Sequence, residues 1–429
     1  MREEEIICSY WLNNSVTYKP HFYISKLEAI KKMKKILCLT LLPLLFVNLL
    51  IAQAKTSTDT AFKPSGKLWG YTFGDFYYKA HSDVMNRGGA NQYTGIEQGR
   101  NAFQIRRAYL GYNYDIHPKF AAELLLAAED NININGSNSG DLTSNGKLTF
   151  YIKYANLRWK NIWKGTDLVV GQHATPAFAL LTEPFWGYRS IERPLVDIRR
   201  TPSSDFGASL QGKFDPSTGN YGYNVMVGNG TGARPENDKF KWFYGDIYAK
   251  FFDKKLVFDL YADYQRLGWT PTFHHSRNML KGFAGYTTPS FTVGAEAFIN
   301  HGQQDVTGNK ETSKDTISAN ATGLSLFARG AIIKDKLGYF ARFDTYNPDT
   351  KYNDVNYITY SGLTSAYEPN NKEKFITAGL DFTPVNNVHF MPNVWYNHYK
   401  SEKSAITGSA GHDHDLVYRI TFYYVYGSR

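Results

Sequence analysis

The densest group of charges that could act together lies between residues 174 and 204. It comprises Glu183, Arg189, Glu192, Arg193, Asp197, Arg199 and Arg200, interleaved with the apolar segments Phe178 to Leu181 and Phe185-Trp186. Opposed charges at this spacing, in a stretch without strand periodicity, suit an electrostatic filter. Rings of charged side chains are how pores select ions. The net charge of the stretch is only +1, so composition alone gives a weak preference for anions. Two other groups carry metal-ligand chemistry by residue type, His412-Asp413-His414-Asp415 and His274-His275. Both fall in expected loops, where they read as solvated side chains, and no metal is expected. No catalytic residues stand out. There is no G-x-S-x-G elbow and no dinucleotide fingerprint, and Gly146-Lys147 is followed by Leu148 without the upstream glycine of a phosphate loop. The two cysteines, Cys8 and Cys38, exclude a disulfide framework and a thiolate metal site. No cofactor is expected.

A charged loop filters ions only if a rigid scaffold holds it in their path. The 429-residue chain is 42% hydrophobic and 16% aromatic, with 32 Tyr, 28 Phe and 36 Gly and a mean hydropathy of −0.43. That hydropathy excludes a helical membrane bundle, which needs several apolar runs of about 20 residues. The aromatic content excludes disorder. Period-2 alternation recurs through most of the chain and predicts sixteen strands, from about 67–78 to about 414–426. On strand 255–266, Phe258, Leu260, Ala262 and Tyr264 oppose Asp259, Tyr261, Asp263 and Gln265. On strand 147–159, Leu148, Phe150, Ile152 and Tyr154 oppose Lys147, Thr149, Tyr151 and Lys153.

The connections alternate between long and short. Long loops are expected near 79–101, 130–146, 174–204, 230–239, 267–278, 301–320, 347–373 and 400–413, with short turns between them. This is the asymmetry of an outer-membrane barrel with external loops and periplasmic turns. The expected fold is therefore all-β, a sixteen-stranded antiparallel transmembrane β-barrel. Its polar strand faces would line water, which makes Lys153, Asp259, Asp263, Glu296, Arg342, Asp344 and Arg419 lumen-facing candidates. Aromatics near strand ends, among them Trp69, Tyr71, Tyr112 and Tyr424, suit interfacial girdles. Sixteen strands enclose an aqueous channel, whereas eight are filled by side chains.

The N-terminus reads as an export signal over 33–54. Met33-Lys34-Lys35 is the basic region, Ile36 to Leu50 the apolar run and Ala52-Gln53-Ala54 the cleavage site. Residues 1–32 read as a non-native upstream extension, and 55–429 as a single barrel domain. Seven basic and four acidic residues precede residue 55, so the mature chain carries +6. This is too dispersed for a nucleic-acid binder.

Several stretches resemble the phosphate-selective O and P type of outer-membrane porin. They are Phe103-Gln104-Ile105-Arg106-Arg107-Ala108-Tyr109-Leu110, Leu168-Val169-Val170-Gly171-Gln172 with Pro176, Ser190-Ile191-Glu192-Arg193-Pro194-Leu195, and the opening Gly70-Tyr71-Thr72-Phe73-Gly74-Asp75. The resemblance implies a homotrimer of barrels in a bacterial outer membrane, bathed in lipid and lipopolysaccharide. It also implies a third loop folded into each pore and passive uptake of small anionic or neutral solutes such as phosphate. Arg189, Glu192, Arg193, Asp197, Arg199 and Arg200 become constriction candidates. The chain departs from the family in mixing acidic with basic residues on the lumen face, where the family runs a ladder of arginines. A plugged barrel, or an enzymatic one with a hydrolase site at the outer rim, is the alternative. Adjacent strand residues point to opposite faces, so only one of Arg106 and Arg107 is expected to enter the lumen.

Overall fold

A strand with one apolar and one polar face satisfies both only if its sheet separates lipid from water, and in lipid such a sheet must close to leave no unpaired edge. The computed structural model describes residues 62–88, 91–129, 148–310, 313–352, 371–401 and 411–427, with the backbone alone for 306–310 and 313–317. The expected extension 1–32 and signal 33–54 lie outside the described residues.

Sixteen strands form the wall. They are β1 (Ser65–His81), β2 (Asn101–His117), β3 (Phe120–Glu129), β4 (Tyr151–Trp163), β5 (Thr166–Ala174), β6 (Ser204–Lys213), β7 (Tyr221–Gly228) and β8 (Trp242–Phe251), then β9 (Leu256–Trp269), β10 (His274–Thr287), β11 (Phe291–Lys310), β12 (Ser313–Ile333), β13 (Leu337–Asn347), β14 (Asn371–Val385), β15 (Val388–Ser401) and β16 (Gly411–Gly427). Each pairs antiparallel with its sequence neighbour, and β1 pairs with β16 from Trp69↔Gly427 to His81↔Leu416, closing the barrel. The expected strand count and topology are both realised.

Alternation sorts the side chains as expected over much of the wall. Phe258, Leu260, Ile299, Tyr418 and Ile420 are about half exposed on the outer surface, while Asp259, Asp263, Glu296, Arg342, Asp344 and Arg419 are buried on the inner one. Two bulges shift the phase. In β2 the residues Phe73 and Gly74 oppose Arg107 and Ile105, so Arg106 is the extra residue. In β4 the residues Leu125 and Leu126 oppose Tyr154 and Ile152, so Lys153 is the extra residue. A bulge re-aims the side chains beyond it. Arg106 and Arg107 consequently both point inward and are buried, where strict alternation puts only one. Tyr154, expected outward, packs inward with Trp69, Phe73 and Tyr109. Trp69 and Tyr71 belong to that inner cluster and not to a girdle, whereas Tyr112 and Tyr424 are exposed on the outside.

Two expected long loops are strand instead. β9 and β10 are joined by only 270–273, and β11 and β12 run to 20 and 21 residues and pair out to Lys310↔Ser313. A membrane-spanning strand needs about 9–11 residues, so this hairpin continues well beyond the bilayer.

The β5–β6 connection, 175–203, carries two short helices, α1 (Thr182–Trp186) and α2 (Leu195–Arg199). Gly187 ends α1 at φ +71 with its N–H 2.9 Å from the carbonyl oxygen of Glu183. This left-handed cap is cheap for glycine and turns the chain sharply after a single turn of helix.

Candidate functional site: the loop-lined constriction

The β5–β6 connection is folded into the barrel. Apolar side chains seat it first. Phe178, Leu195 and Val196 pack with Met226, Trp242, Tyr244, Tyr261, Met279 and Phe298 of the wall. Trp186 and Ile191 pack with Phe283, Phe327, Phe340 and Met391. The β1–β2 loop also turns inward, burying Tyr93 and Ile96 against Tyr77, Phe375, Trp395 and Val417.

Hydrogen bonds then fix the loop's height and rotation, and the donors are mostly wall cations acting on loop carbonyls. Arg106 donates to the carbonyl of Ser190. Arg419 donates to Ile191 at 3.1 Å, Arg342 to Arg193 at 2.6 Å and Arg329 to Phe185 at 2.9 Å. Lys281 donates to the Thr182 hydroxyl at 3.1 Å. Charged donors make roughly twice as strong a hydrogen bond as neutral ones, so these five hold a loop that has little regular structure of its own.

The six constriction candidates come together on this loop. Arg189 pairs with Glu183 and, at 3.1 Å, with Asp197. Arg193 stands 4.0 Å from Asp197 and keeps a 24% exposed side chain. Arg199 donates to Glu373 at 2.6 Å and to Asn91 at 3.0 Å, with its guanidinium over Tyr346. Arg200 donates to Asp263 at 2.7 Å and to Asn300 at 2.6 Å, over Trp242. Glu192 accepts from the Trp395 indole N–H at 2.7 Å, and its backbone carbonyl accepts from Trp186 at 2.9 Å. Burial pushes the Glu192 carboxyl up, but Arg193 and the Trp395 hydrogen bond outweigh it and hold the group below the ordinary carboxylate range.

The lumen-facing candidates are paired as well. Lys153 donates to Glu129 at 2.6 Å, Lys281 to Asp259 at 2.9 Å, and Arg342 to Asp344 at 2.5 and 2.9 Å. Glu296 lies 3.6 Å from Lys281. Arg419 donates to Asn393 at 2.6 Å and sits over Tyr93. Arg107 joins Glu129 at 2.5 Å, and Arg106 joins Asp75.

The interior is therefore a lattice of opposed charges and not an arginine ladder. Cations that sequence phase puts on the pore wall hold the loop or neutralise carboxylates. Sequence reasoning missed Asp75, Arg107, Glu129, Lys281, Arg329, Glu373 and Trp395 as members of this lattice. Only the Arg106-Arg107 doublet gave a signal, because two adjacent charges on a strand require a bulge if both are to stay out of lipid. Among the described residues, His173 Nε2 lies 2.8 Å from Ser209 Oγ, but its Nδ1 is directed at the Gly171 carbonyl and no carboxylate contacts it.

No protein-family model matches the chain, and no curated protein matches it in sequence. Solved structures do match in fold. The outer-membrane channel DcaP of Acinetobacter baumannii is 11% identical, with 85% of this chain and 97% of that one covered at a TM-score of 0.58. The anion-selective porin of Comamonas acidovorans is 12% identical, with 85% and 100% covered at 0.52. The trimer form of OmpT from Vibrio cholerae is 11% identical, with 85% and 100% covered at 0.52. This likeness concerns the fold alone, a closed sixteen-stranded antiparallel barrel of the outer-membrane kind. The barrel and its apolar outer belt place the chain in a bacterial outer membrane.

Proposed function

We propose that this protein is a passive diffusion channel for small hydrophilic solutes, with a slight lean towards anions. The observation that carries the reading is the 175–203 loop fastened across the lumen by charged hydrogen bonds. Of its charged side chains Arg193 and Glu183 stay the most exposed, at 24% and 22%, and they present a guanidinium and a carboxylate to whatever passes, as a filter does. Pairing removes most of the net charge, so selectivity is mild. The lean rests on the loop's net charge of +1 and on Arg193, whose side chain stays 24% exposed. On this reading Arg189, Glu192, Arg193, Asp197, Arg199 and Arg200 set the size limit and the wall charges bias ions by sign. Nothing is catalysed.

The finer resemblance to the phosphate-selective O and P type belongs to the same proposal. So do a homotrimer, contact with lipid and lipopolysaccharide, and a leader at 33–54 preceding a mature chain of 55–429. The test is single-channel current in a planar bilayer with a potassium chloride gradient, using protein exported by cells and extracted from their membranes. Steady conductance with a small reversal potential towards chloride is expected. A folded barrel that passes no current overturns the proposal in favour of a plugged barrel. A fluorophosphonate probe that labels Ser209 overturns it in favour of a hydrolase.

A further inference from the structure

At the outer end of the β1–β16 seam, a residue of the first strand meets two adjacent residues of the last. A bulge between Lys79 and His81 brings His81 beside β16, where its ring stacks on that of His414 with centroids 4.0 Å apart and planes 7° apart. His81 Nδ1 lies 2.8 Å from the His414 carbonyl oxygen. A carbonyl only accepts, so Nδ1 carries the proton and Nε2 keeps its lone pair. This is the orienting hydrogen bond that metal-ligating histidines commonly make through their second nitrogen. Asp413 Oδ1 stands 3.7 Å from Nδ1 of His414, and 3.7 Å from the protonated Nδ1 of His81, whose Nε2 is the nitrogen left to bind. One ligand atom from each of the three residues lies within 4.8 Å of the others.

We propose that His81, His414 and Asp413 form a binding site for a divalent transition-metal cation of the zinc class. Zinc holds imidazole nitrogen and carboxylate oxygen at about 2.0–2.2 Å in a tetrahedron, which sets donor atoms roughly 3.4 Å apart. Binding turns the two stacked rings about their Cβ–Cγ bonds until one nitrogen of each points at the ion, and side chains 34% and 32% exposed have room to turn. Water completes the shell. Two imidazoles with one carboxylate select zinc or a neighbouring first-row ion over magnesium or calcium, which take all-oxygen shells. The surroundings reinforce the choice. His398 lies opposite His414 in the β15–β16 register, and its Nε2 is 3.4 Å from Nδ1 of His412. Four imidazoles from three strands thus share one patch of rim. The cations that come near are Lys400, opposite His412 in the β15–β16 register, and Lys79, which Asp415 neutralises at 2.6 Å; Asp413 supplies the carboxylate of the site.

The position gives the ion work to do. His81 is on the first strand and His414 on the last, so the cation staples the barrel closed. Asp413 Oδ2 also accepts from the Val84 N–H at 2.9 Å. That ties the site to the β1–β2 loop, whose Asn91 contacts Arg199 and Glu373 in the constriction.

The test titrates zinc chloride alone into the full-length protein in lipid nanodiscs, by calorimetry and by competition with a chromophoric zinc indicator. One zinc per chain is expected. His81→Ala and His414→Ala should each weaken binding at least tenfold, and Asp413→Asn should weaken it measurably. Excess magnesium should leave it unchanged. Zinc should raise the unfolding temperature of the parent barrel and not of His81→Ala, with heat-modifiable gel migration confirming that each variant is folded. The proposal is overturned if zinc binding survives both single histidine variants, if magnesium displaces it, or if only a His398→Ala, His412→Ala double variant removes it.

Discussion

The paired charges at the constriction allow a test in which two variants break the same contacts with opposite electrical consequences. Arg199 is joined to Glu373, and Arg200 to Asp263, at 2.6 and 2.7 Å. Replacing the acids, as Glu373→Gln with Asp263→Asn, leaves two uncompensated positive charges. Replacing the bases, as Arg199→Gln with Arg200→Gln, leaves two uncompensated negative ones. A unit charge about 5 Å from a passing ion in a water-like dielectric contributes about 0.8 kcal/mol, hence about 1.7 kcal/mol for two. A Debye length of about 10 Å at 0.1 M salt reduces this to about 1 kcal/mol. Each ion is affected about fivefold and in opposite senses, so the chloride-to-potassium permeability ratio should rise about 30-fold in the first variant and fall about 30-fold in the second. Breaking a buried pair costs about 3–5 kcal/mol of stability, but both variants bear that cost, so loosening of the loop cannot produce opposite signs. The assay is the reversal potential in a potassium chloride gradient on channels whose folded state is first checked by gel migration. Shifts in the same direction, or no shift in either variant, would refute the idea that these pairs set the charge balance of the lumen.

Two further outcomes follow from individual contacts. The Glu192 carboxyl is held below the ordinary carboxylate range, so its hold on Trp395 is complete above pH about 4.3 and is lost as pH falls through the lowered value. Open-channel current noise should rise in the parent protein only on acidification below the ordinary carboxylate range, whereas Glu192→Gln should be noisy and flat with pH; a parent channel whose noise never changes with acid counts against the clamp. In the second, Glu129 serves both Arg107 and Lys153, so Glu129→Gln strands two buried cations. Urea unfolding should show a loss of about 3–5 kcal/mol with an unchanged slope, and a loss under 1 kcal/mol would mean that these groups are solvated.

How much of this was legible in the sequence depends on where each residue sits relative to the bilayer. Within the bilayer, the demand for an apolar outer face writes a period of two into β9 and β16, and strand number, order and facing could be read from it. Above the bilayer the demand ends. The outer halves of β11 and β12 keep the backbone ladder from Val306↔Ile317 to Lys310↔Ser313 but lose the apolar face, so 301–320 reads as loop. Bulges are silent for a different reason. One extra residue reverses the phase without changing composition, which is why Tyr154 was assigned to the wrong side. The constriction was legible as a location, because Arg189, Arg193, Arg199 and Arg200 mark it. Its charge balance was not, because Glu373 lies 174 residues from Arg199 and Asp263 lies 63 from Arg200.

That separation also orders the assembly of the molecule in time. Most of the groups that grip the 175–203 loop are contributed late in the chain: Arg329 from β12, Arg342 from β13, Trp395 from β15 and Arg419 from β16, with Arg106 of β2 the early exception. Contacts of such high sequence separation are made slowly, after nearer ones. Before those long-range contacts form, the loop has its own hydrogen bonds, its seat against β7 to β10 and the Arg106 contact from β2, but none of its partners from β12 to β16. The aperture takes its final size only when β16 meets β1, so that sealing the wall and setting the gauge of the pore are the same event.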